Sequence, residues 1–430
     1  MSFTRALATV LSTLIAASSL GCGASSEEPY GGDVVRSDKQ RVSAPSVASA
    51  DLTTQVSGNT AFAFDLYQQL RGKPGNLFYS PHSMSMALAM LYAGARGATE
   101  QQMAQAMHFD LQQDKLHPVF NKLDLELNSR GQGKTGADGK AFRLNVVNAT
   151  WGQRGYSFLP GYLDTLALSY GAGLRLLDFA AQPEDSRKVI NTWVEDQTEQ
   201  RIKDLLPQGT IDSDTRLVLT NAIYFNAAWA EAFEEKNTKD GPFSLVDGTE
   251  LTVPRMSGTM KGSYATGQDL QVAALPYDGH ELSMLLIVPD QGKLDAVEQS
   301  LTGAVVEGLV QQLQPAEIIL TLPKFEFEAE QDLVEPLKAL GMVDAFGAQA
   351  DLSGINGKRD LFVSAVLHKA FVKVNEAGTE AAAATAVVVG ETSVQPNPPV
   401  TLLVDRPFLF VIRDHATGAI LFIGRVVKPA

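Results

Sequence analysis

Glu376-Ala377-Gly378-Thr379-Glu380-Ala381-Ala382-Ala383-Ala384-Thr385-Ala386-Val387-Val388-Val389-Gly390-Glu391-Thr392-Ser393 begins like a linker and ends like a strand. Its small residues run into Val387-Val388-Val389, a strong β former. No proline occurs from Glu376 to Gln395, and then Pro396, Pro398 and Pro399 arrive together. As a strand, Thr379, Ala381, Ala383, Thr385, Val387 and Val389 share one uncharged face, with Glu380 on the other. That face suits burial in a central strand, whereas the proline cluster beyond it does not. An Ala-rich helix is the competing reading, because alanine has the highest helix propensity; the valine run and Gly390 oppose extending it.

Upstream of this stretch the helical signals gather. Phe62, Leu66 and Leu70 make one face of a first helix. Ser80 is an N-cap with Pro81 at the first helical position, and Met84, Leu88 and Leu91 carry the apolar stripe to Gly94. Thr99 with Gln102 predicts a capping box. Phe142, Leu144 and Val146 alternate with Arg143 and Asn145, the period of a strand with one buried face. Val189 and Trp193 mark another helix ahead of the apolar strand from Leu217 to Phe225. Strands dominate afterwards. The runs 270–276 and 282–289 flank Asp278-Gly279, a strong hairpin signal, and 402–412 with 419–427 predict a closing hairpin around Thr417-Gly418. Helices first and strands later make an α+β chain.

Charge and cysteine content exclude several functions. The 430 residues carry 35 Lys+Arg against 49 Asp+Glu, a net charge of −14, which repels nucleic-acid backbones. A hydrophobic content of 45% supports a sizeable core and excludes a wholly disordered chain. Cys22 is the single cysteine, so neither an intramolecular disulfide nor a thiolate metal cluster can form. The six histidines, at 82, 108, 117, 280, 368 and 415, show no close ligand spacing, so neither a metal nor a cofactor is expected.

The first residues carry an address. Arg5 precedes the apolar run from Ala6 to Leu20, of signal-peptide length, and Ser19-Leu20-Gly21-Cys22 resembles a bacterial lipoprotein processing site. The expected division is a lipoprotein-type signal peptide over 1–21, a flexible tether over 22–52 and one folded body over 53–430. The alternative is ordinary secretory cleavage near Gly21–Ala24. Either way the protein is exported, as a cell-surface or outer-membrane lipoprotein held by a lipid on Cys22, or as an extracellular protein. Two other motifs read as incidental. Gly131 to Gly136 matches G-x-G-x-x-G, yet a helical pattern rather than a strand precedes it, so it is a surface loop. Asn148-Ala149-Thr150 fits a glycosylation acceptor, of little weight behind a bacterial-type leader. No G-x-S-x-G is present for a hydrolase nucleophile.

Six motifs in order over 53–430 resemble the serpin family. They are Asn76-Leu77-Phe78-Tyr79-Ser80-Pro81-His82-Ser83, Leu219-Thr220-Asn221-Ala222-Ile223-Tyr224-Phe225 with Trp229, and Leu322-Pro323-Lys324-Phe325. Asp351-Leu352-Ser353-Gly354 with His368-Lys369-Ala370 follows, then the hinge from Val374 to Ala382, then Asp405-Arg406-Pro407-Phe408-Leu409-Phe410. The resemblance implies about nine helices around three β-sheets, one large and central, with an exposed reactive-centre loop. It also implies a monomeric inhibitor that forms a covalent acyl complex with a serine protease, or with a cysteine protease. The cut loop then inserts into the central sheet and distorts the protease before deacylation.

Site residues carry over from the family position by position. Glu376, Gly378, Thr379, Glu380, Ala381, Ala382, Ala383 and Ala384 match the hinge. Ser80, Ser83, Asn221 and His368 match a polar cluster beneath the opening of the sheet, while Lys324 pairs with Glu376 near Trp229. Counting about sixteen residues past Glu376 puts the reactive-site bond at Thr392–Ser393, with Glu391–Thr392 or a bond among Val387 to Val389 as rivals. Thr392 is small and uncharged, which suits elastase-like or subtilisin-like pockets. The alternative function is a non-inhibitory carrier, chaperone or storage protein; the Ala and Thr from 381 to 386 favour the inhibitor. No nucleophile, base and orienting group come together in the sequence, so an enzyme is not expected.

Overall fold

A computed structural model describes residues 33–134, 136, 139–379 and 398–429. From the N-terminus run strand β1 (Asp33–Val35), helix α1 (Ser49–Leu70), β2 (Leu77–Tyr79), α2 (Pro81–Tyr92), α3 (Gly97–Met107) and α4 (Gln113–Asn128). Next come β3 (Arg143–Gln153), α5 (Pro160–Tyr170), β4 (Leu174–Leu177), α6 (Pro183–Gln197) and β5 (Leu217–Ala228). A strand-rich stretch follows with β6 (Lys239–Ser244), β7 (Glu250–Gly267), β8 (Leu270–Pro276) and β9 (Leu282–Pro289). After α7 (Leu294–Ser300) and α8 (Gly303–Gln312) lie β10 (Gln314–Pro323), β11 (Phe325–Asp332), α9 (Val334–Ala339) and α10 (Ser353–Asn356). The chain closes with β12 (Val363–Asn375), β13 (Gly378–Thr379), β14 (Val400–Leu403), β15 (Phe408–Asp414) and β16 (Ile420–Val426). The α+β class holds, with ten α-helices among the described residues.

Two sheets organise these elements where three were expected. The central one has seven strands in the order β1-β4-β3-β5-β13-β12-β11, and the other has nine. The merger has a local cause. The 18-residue β7 bonds β6 along Glu250–Arg255, β10 along Arg255–Tyr264 and β8 along Ser263–Gly267, so one strand runs through what would be two sheets. Helix α2 is buried between the sheets, against β3, β5 and β16. Its Ser80 cap accepts from the Ser83 amide, and Pro81 occupies the first turn, as the sequence predicts. On the outer face α6 sets Trp193 edge-on to Trp151, with ring centroids 5.4 Å apart.

Three further sequence expectations need correction. Part of the expected 22–52 tether is bound to the body, because β1 adds to the edge of the central sheet and α1 starts at Ser49. The Thr99–Gln102 capping box does not form: Thr99 Oγ1 accepts from the Asp351 amide, and Gln102 Oε1 from the Val343 and Asp344 amides. Distant backbone donors out-compete the local partner. The expected strand over 402–412 splits around Val404–Pro407, since β14 pairs parallel with β10 whereas β15 pairs with β9 and β16. Pro407 cannot donate to a continuing ladder. Gly378 and Thr379, matched to the hinge, sit in the sheet as β13, in keeping with the strand reading of this stretch.

Candidate functional site

The site forms where β12 turns back on itself. Past Asn375 the chain reverses at Glu376-Ala377 and returns as β13, a two-residue wedge between β5 and β12. Thr379 pairs with Val374 on one side and Ala227 on the other, and Gly378 with Asn375 and Ala228. Below the wedge the sheet is shut: β5 and β12 pair directly, in parallel, from Leu217/Val363 to Ile223/Ala370. Above that point β5 and β12 diverge, and β13 fills ladder groups that would otherwise be left unpaired.

Aromatic rings hold the wedge from beneath. Thr379 is 1% exposed, and its Oγ1 shares a 2.8 Å hydrogen bond with the Tyr277 hydroxyl. Tyr277 stacks on Trp229, ring centroids 4.8 Å apart and nearly parallel. The Trp229 indole N–H donates to the Asn375 carbonyl at 3.0 Å, and its amide to the Ala377 carbonyl at 2.9 Å. Glu376 accepts from Thr238 Oγ1 at 2.6 Å and pairs with Lys324 Nζ at 2.8 Å. Burial pushes the Glu376 carboxyl up, but hydrogen bonds from Lys324 and Thr238 outweigh it and hold the group below its usual value.

A polar row crosses the sheet lower down. Asn148 on β3 lies opposite Asn221 on β5, and Asn221 opposite His368 on β12. Asn221 Nδ2 donates to Asn148 Oδ1 and to Ser83 Oγ, and Asn221 Oδ1 accepts from His368 Nδ1. The Ser80 amide can only donate, so His368 Nε2 accepts it at 3.3 Å and the ring proton sits on Nδ1. His368 is fully buried, and desolvation drives its pKa down to about 3, leaving it neutral. The row therefore ties α2, β3, β5 and β12 together across the seam where β5 meets β12.

Acid should loosen this arrangement. The folded pKa of His368 lies below the unfolded value, so the unfolded chain takes up the proton first as pH falls. Its contribution is complete above about pH 6.5 and declines by about 1.4 kcal/mol per pH unit below that, towards pH 3. Burial also depresses His82, and His117 to about 4, so the slopes add. The melting midpoint of the intact protein is expected to fall steadily from pH 6.5 to 4.5, with a shallower slope for His368→Gln. A flat wild-type profile would contradict the buried, neutral assignment.

The structure thus gathers Ser80, Ser83, Asn221 and His368 in one cluster, and Trp229, Lys324, Glu376, Gly378 and Thr379 in another. Glu380, Ala381, Ala382, Ala383, Ala384, Thr392, Ser393 and Cys22 lie outside the described residues. Three members escaped the sequence reading. Thr238 gave no signal, and Tyr277 gave only its place beside a hairpin turn. Asn148 gave a usable one: it falls on the strand face shared by Leu144 and Val146, a better guide than its glycosylation triplet, since its side chain is committed to the sheet. The loop after α4 is no phosphate cradle, because the Gly131 amide donates to the Glu281 carboxylate at 2.8 Å.

Comparisons with known proteins agree with this architecture. The family model described as Serpin (serine protease inhibitor) matches residues 57–429. A pig leukocyte elastase inhibitor is 42% identical over 387 residues, covering 87% of this chain and 99% of that protein. Human thyroxine-binding globulin shares the fold at a TM-score of 0.79 and 28% identity, over 88% of this chain and 100% of that one. Uncleaved ovalbumin does so at 0.77 and 28%, over 87% and 100%. With the motifs in order, the hinge wedged at the top of the central sheet and a relative this similar over almost its whole length, the chain belongs to the serpin family.

Proposed function

We propose that this serpin inhibits serine endopeptidases of elastase-like or subtilisin-like specificity by a suicide-substrate mechanism. The protease serine attacks the Thr392 carbonyl, an acyl-enzyme forms, and the new amine of Ser393 leaves. The freed loop then extends β13 down between β5 and β12 and carries the acylated protease with it. The observation that carries this reading is the wedge: Thr379 already occupies the slot, and the residues after it are Glu380 followed by four alanines. Every inward-facing position from Thr379 to Val389 is small or β-branched and uncharged, so the seam can accept them. Relatives named leukocyte elastase inhibitor support the protease class. Insertion splits Asn221 from His368 and draws the hinge past Tyr277 and Trp229, which assigns both clusters to control of insertion.

Incubation with an elastase or a subtilisin is expected to yield a complex that survives denaturing electrophoresis, with the released peptide beginning at Ser393. Cysteine proteases are a secondary target. Trypsin should form none, because Thr392 offers nothing to an anionic pocket. A trapped trypsin, or a peptide starting away from Thr392 or Ser393, overturns the bond assignment. Cleavage without any trapped complex would instead favour a carrier, a role consistent with the fold shared with thyroxine-binding globulin. Export completes the proposal. The apolar run from Ala6 to Leu20 ahead of Cys22 supports a bacterial cell-surface or outer-membrane lipoprotein, and Cys22→Ser should move the protein from the membrane to the soluble fraction.

A further inference from the structure

The composition of residues 33–42 predicts a tether, yet the segment is pinned along its length. Strand β1 pairs antiparallel with β4, Asp33 opposite Leu176 and Val35 opposite Leu174. The approach is so close that a Cβ on Gly173 would lie 2.9 Å from both the Arg36 Cβ and the Val35 carbonyl oxygen. Further on, Ser37 Oγ and Lys39 Nζ donate to Asp164 at 2.6 and 2.8 Å, and the Val42 amide donates to the Leu168 carbonyl at 3.0 Å. These partners lie on α5, on β4 or in the short connection between them.

Arg41 reaches a different element. Its Nε donates to Asn121 Oδ1 at 2.7 Å and its Nη2 to Asp124 Oδ2 at 2.6 Å, both on α4. Asn121 Nδ2 donates back to the Val42 carbonyl at 2.7 Å. The pair is sheltered, with side-chain exposures of 25% for Arg41 and 10% for Asp124. Helix α4 packs on α5 and on α1, and α1 packs on α2, α8, α9 and β16, so α4 links the segment to the body around the second sheet.

Opening the seam between β5 and β12 separates the two halves of the central sheet by about 4.8 Å, one strand spacing. The half containing β1, β4, β3 and β5 can move as a unit without stretching its own ladders. The bonds that span the divide then take the strain, and Arg41 makes a charge-assisted one, its guanidinium held by two acceptors in fixed geometry. We propose that Arg41 is a brake on sheet opening, stapling the N-terminal strand, and through it the mobile half of the sheet, to α4. The purpose of such a brake rests on the insertion mechanism proposed above; its test does not.

In hydrogen–deuterium exchange of the intact full chain, Arg41→Ala is expected to speed exchange of the β5 and β12 amides about tenfold, while β9 and α8 stay unchanged. Arg41→Lys keeps the charge and loses the fork, so it should fall between wild type and Arg41→Ala. Should Arg41→Ala fold poorly, Asp124→Asn tests the same bond and should show the same selective increase. Unchanged β5 and β12 exchange, or an equal increase throughout the chain, would make Arg41 an ordinary stabilising contact and overturn the proposal. No protease is involved, so absence of a covalent complex bears on the inhibitory reading alone.

Discussion

Protein cut once at Thr392–Ser393 is expected to melt about 20 °C or more above the intact protein. In the intact chain the wedge contributes two residues between β5 and β12, and the seam beneath is closed by one parallel ladder. Cutting frees the residues after Thr379 to continue β13 antiparallel to both neighbours, replacing that ladder with two. About ten further residues gaining about 1 kcal/mol of net hydrogen bonding each give about 10 kcal/mol. At about 2 °C per kcal/mol for a domain this large, that yields the expected shift. Burial of the Thr and Val side chains adds to it. On the proposed mechanism the intact form is held by a kinetic barrier, to which the Asn221–His368 bond across the seam would contribute. Calorimetry of matched intact and cut samples decides the matter. Coincident midpoints would mean that no strand inserts and would sink the inhibitory mechanism.

Thr379→Arg should convert the inhibitor into a substrate. Thr379 is 1% exposed, held on both sides by backbone ladders and bonded to Tyr277, itself buried under Trp229. An arginine there either drives an unpaired charge into the slot or expels the hinge from it. At about 3 kcal/mol for burying such a charge without a partner, insertion slows about a hundredfold relative to deacylation. The variant is expected to fold, to be cut at the same bond and to release active protease. Titrating the molar excess needed for full inhibition measures the change. A wild-type yield of denaturation-resistant complex from Thr379→Arg would refute the role given to the hinge.

Legibility in the sequence followed the range of the interactions. The β8–β9 hairpin was readable because Asp278-Gly279 sets its geometry within a few residues, and α2 was readable from Ser80-Pro81 for the same reason. Thr99 and Gln102 show the limit. Their spacing satisfies a local rule, yet their partners lie more than 200 residues away, around Asp351 and Val343. Residues 33–42 show it again, since a short charged stretch without apolar periodicity does not reveal that Arg41 meets Asp124 or that Val35 meets Leu174.

By itself the sequence determined the α+β class, the β8–β9 turn, the Ser80 cap, and a segment after Thr379 with one uncharged face of small or β-branched residues, because each depends on propensity and spacing along the chain. Only the tertiary structure decided that Thr379 is already wedged between β5 and β12, that Asn148, Asn221 and His368 stand at one level, and that the N-terminal segment pairs with the sheet edge. Those outcomes depend on register between strands far apart in the chain. Register is set by packing the whole sheet against α2 and the second sheet, and no window of sequence contains that sum.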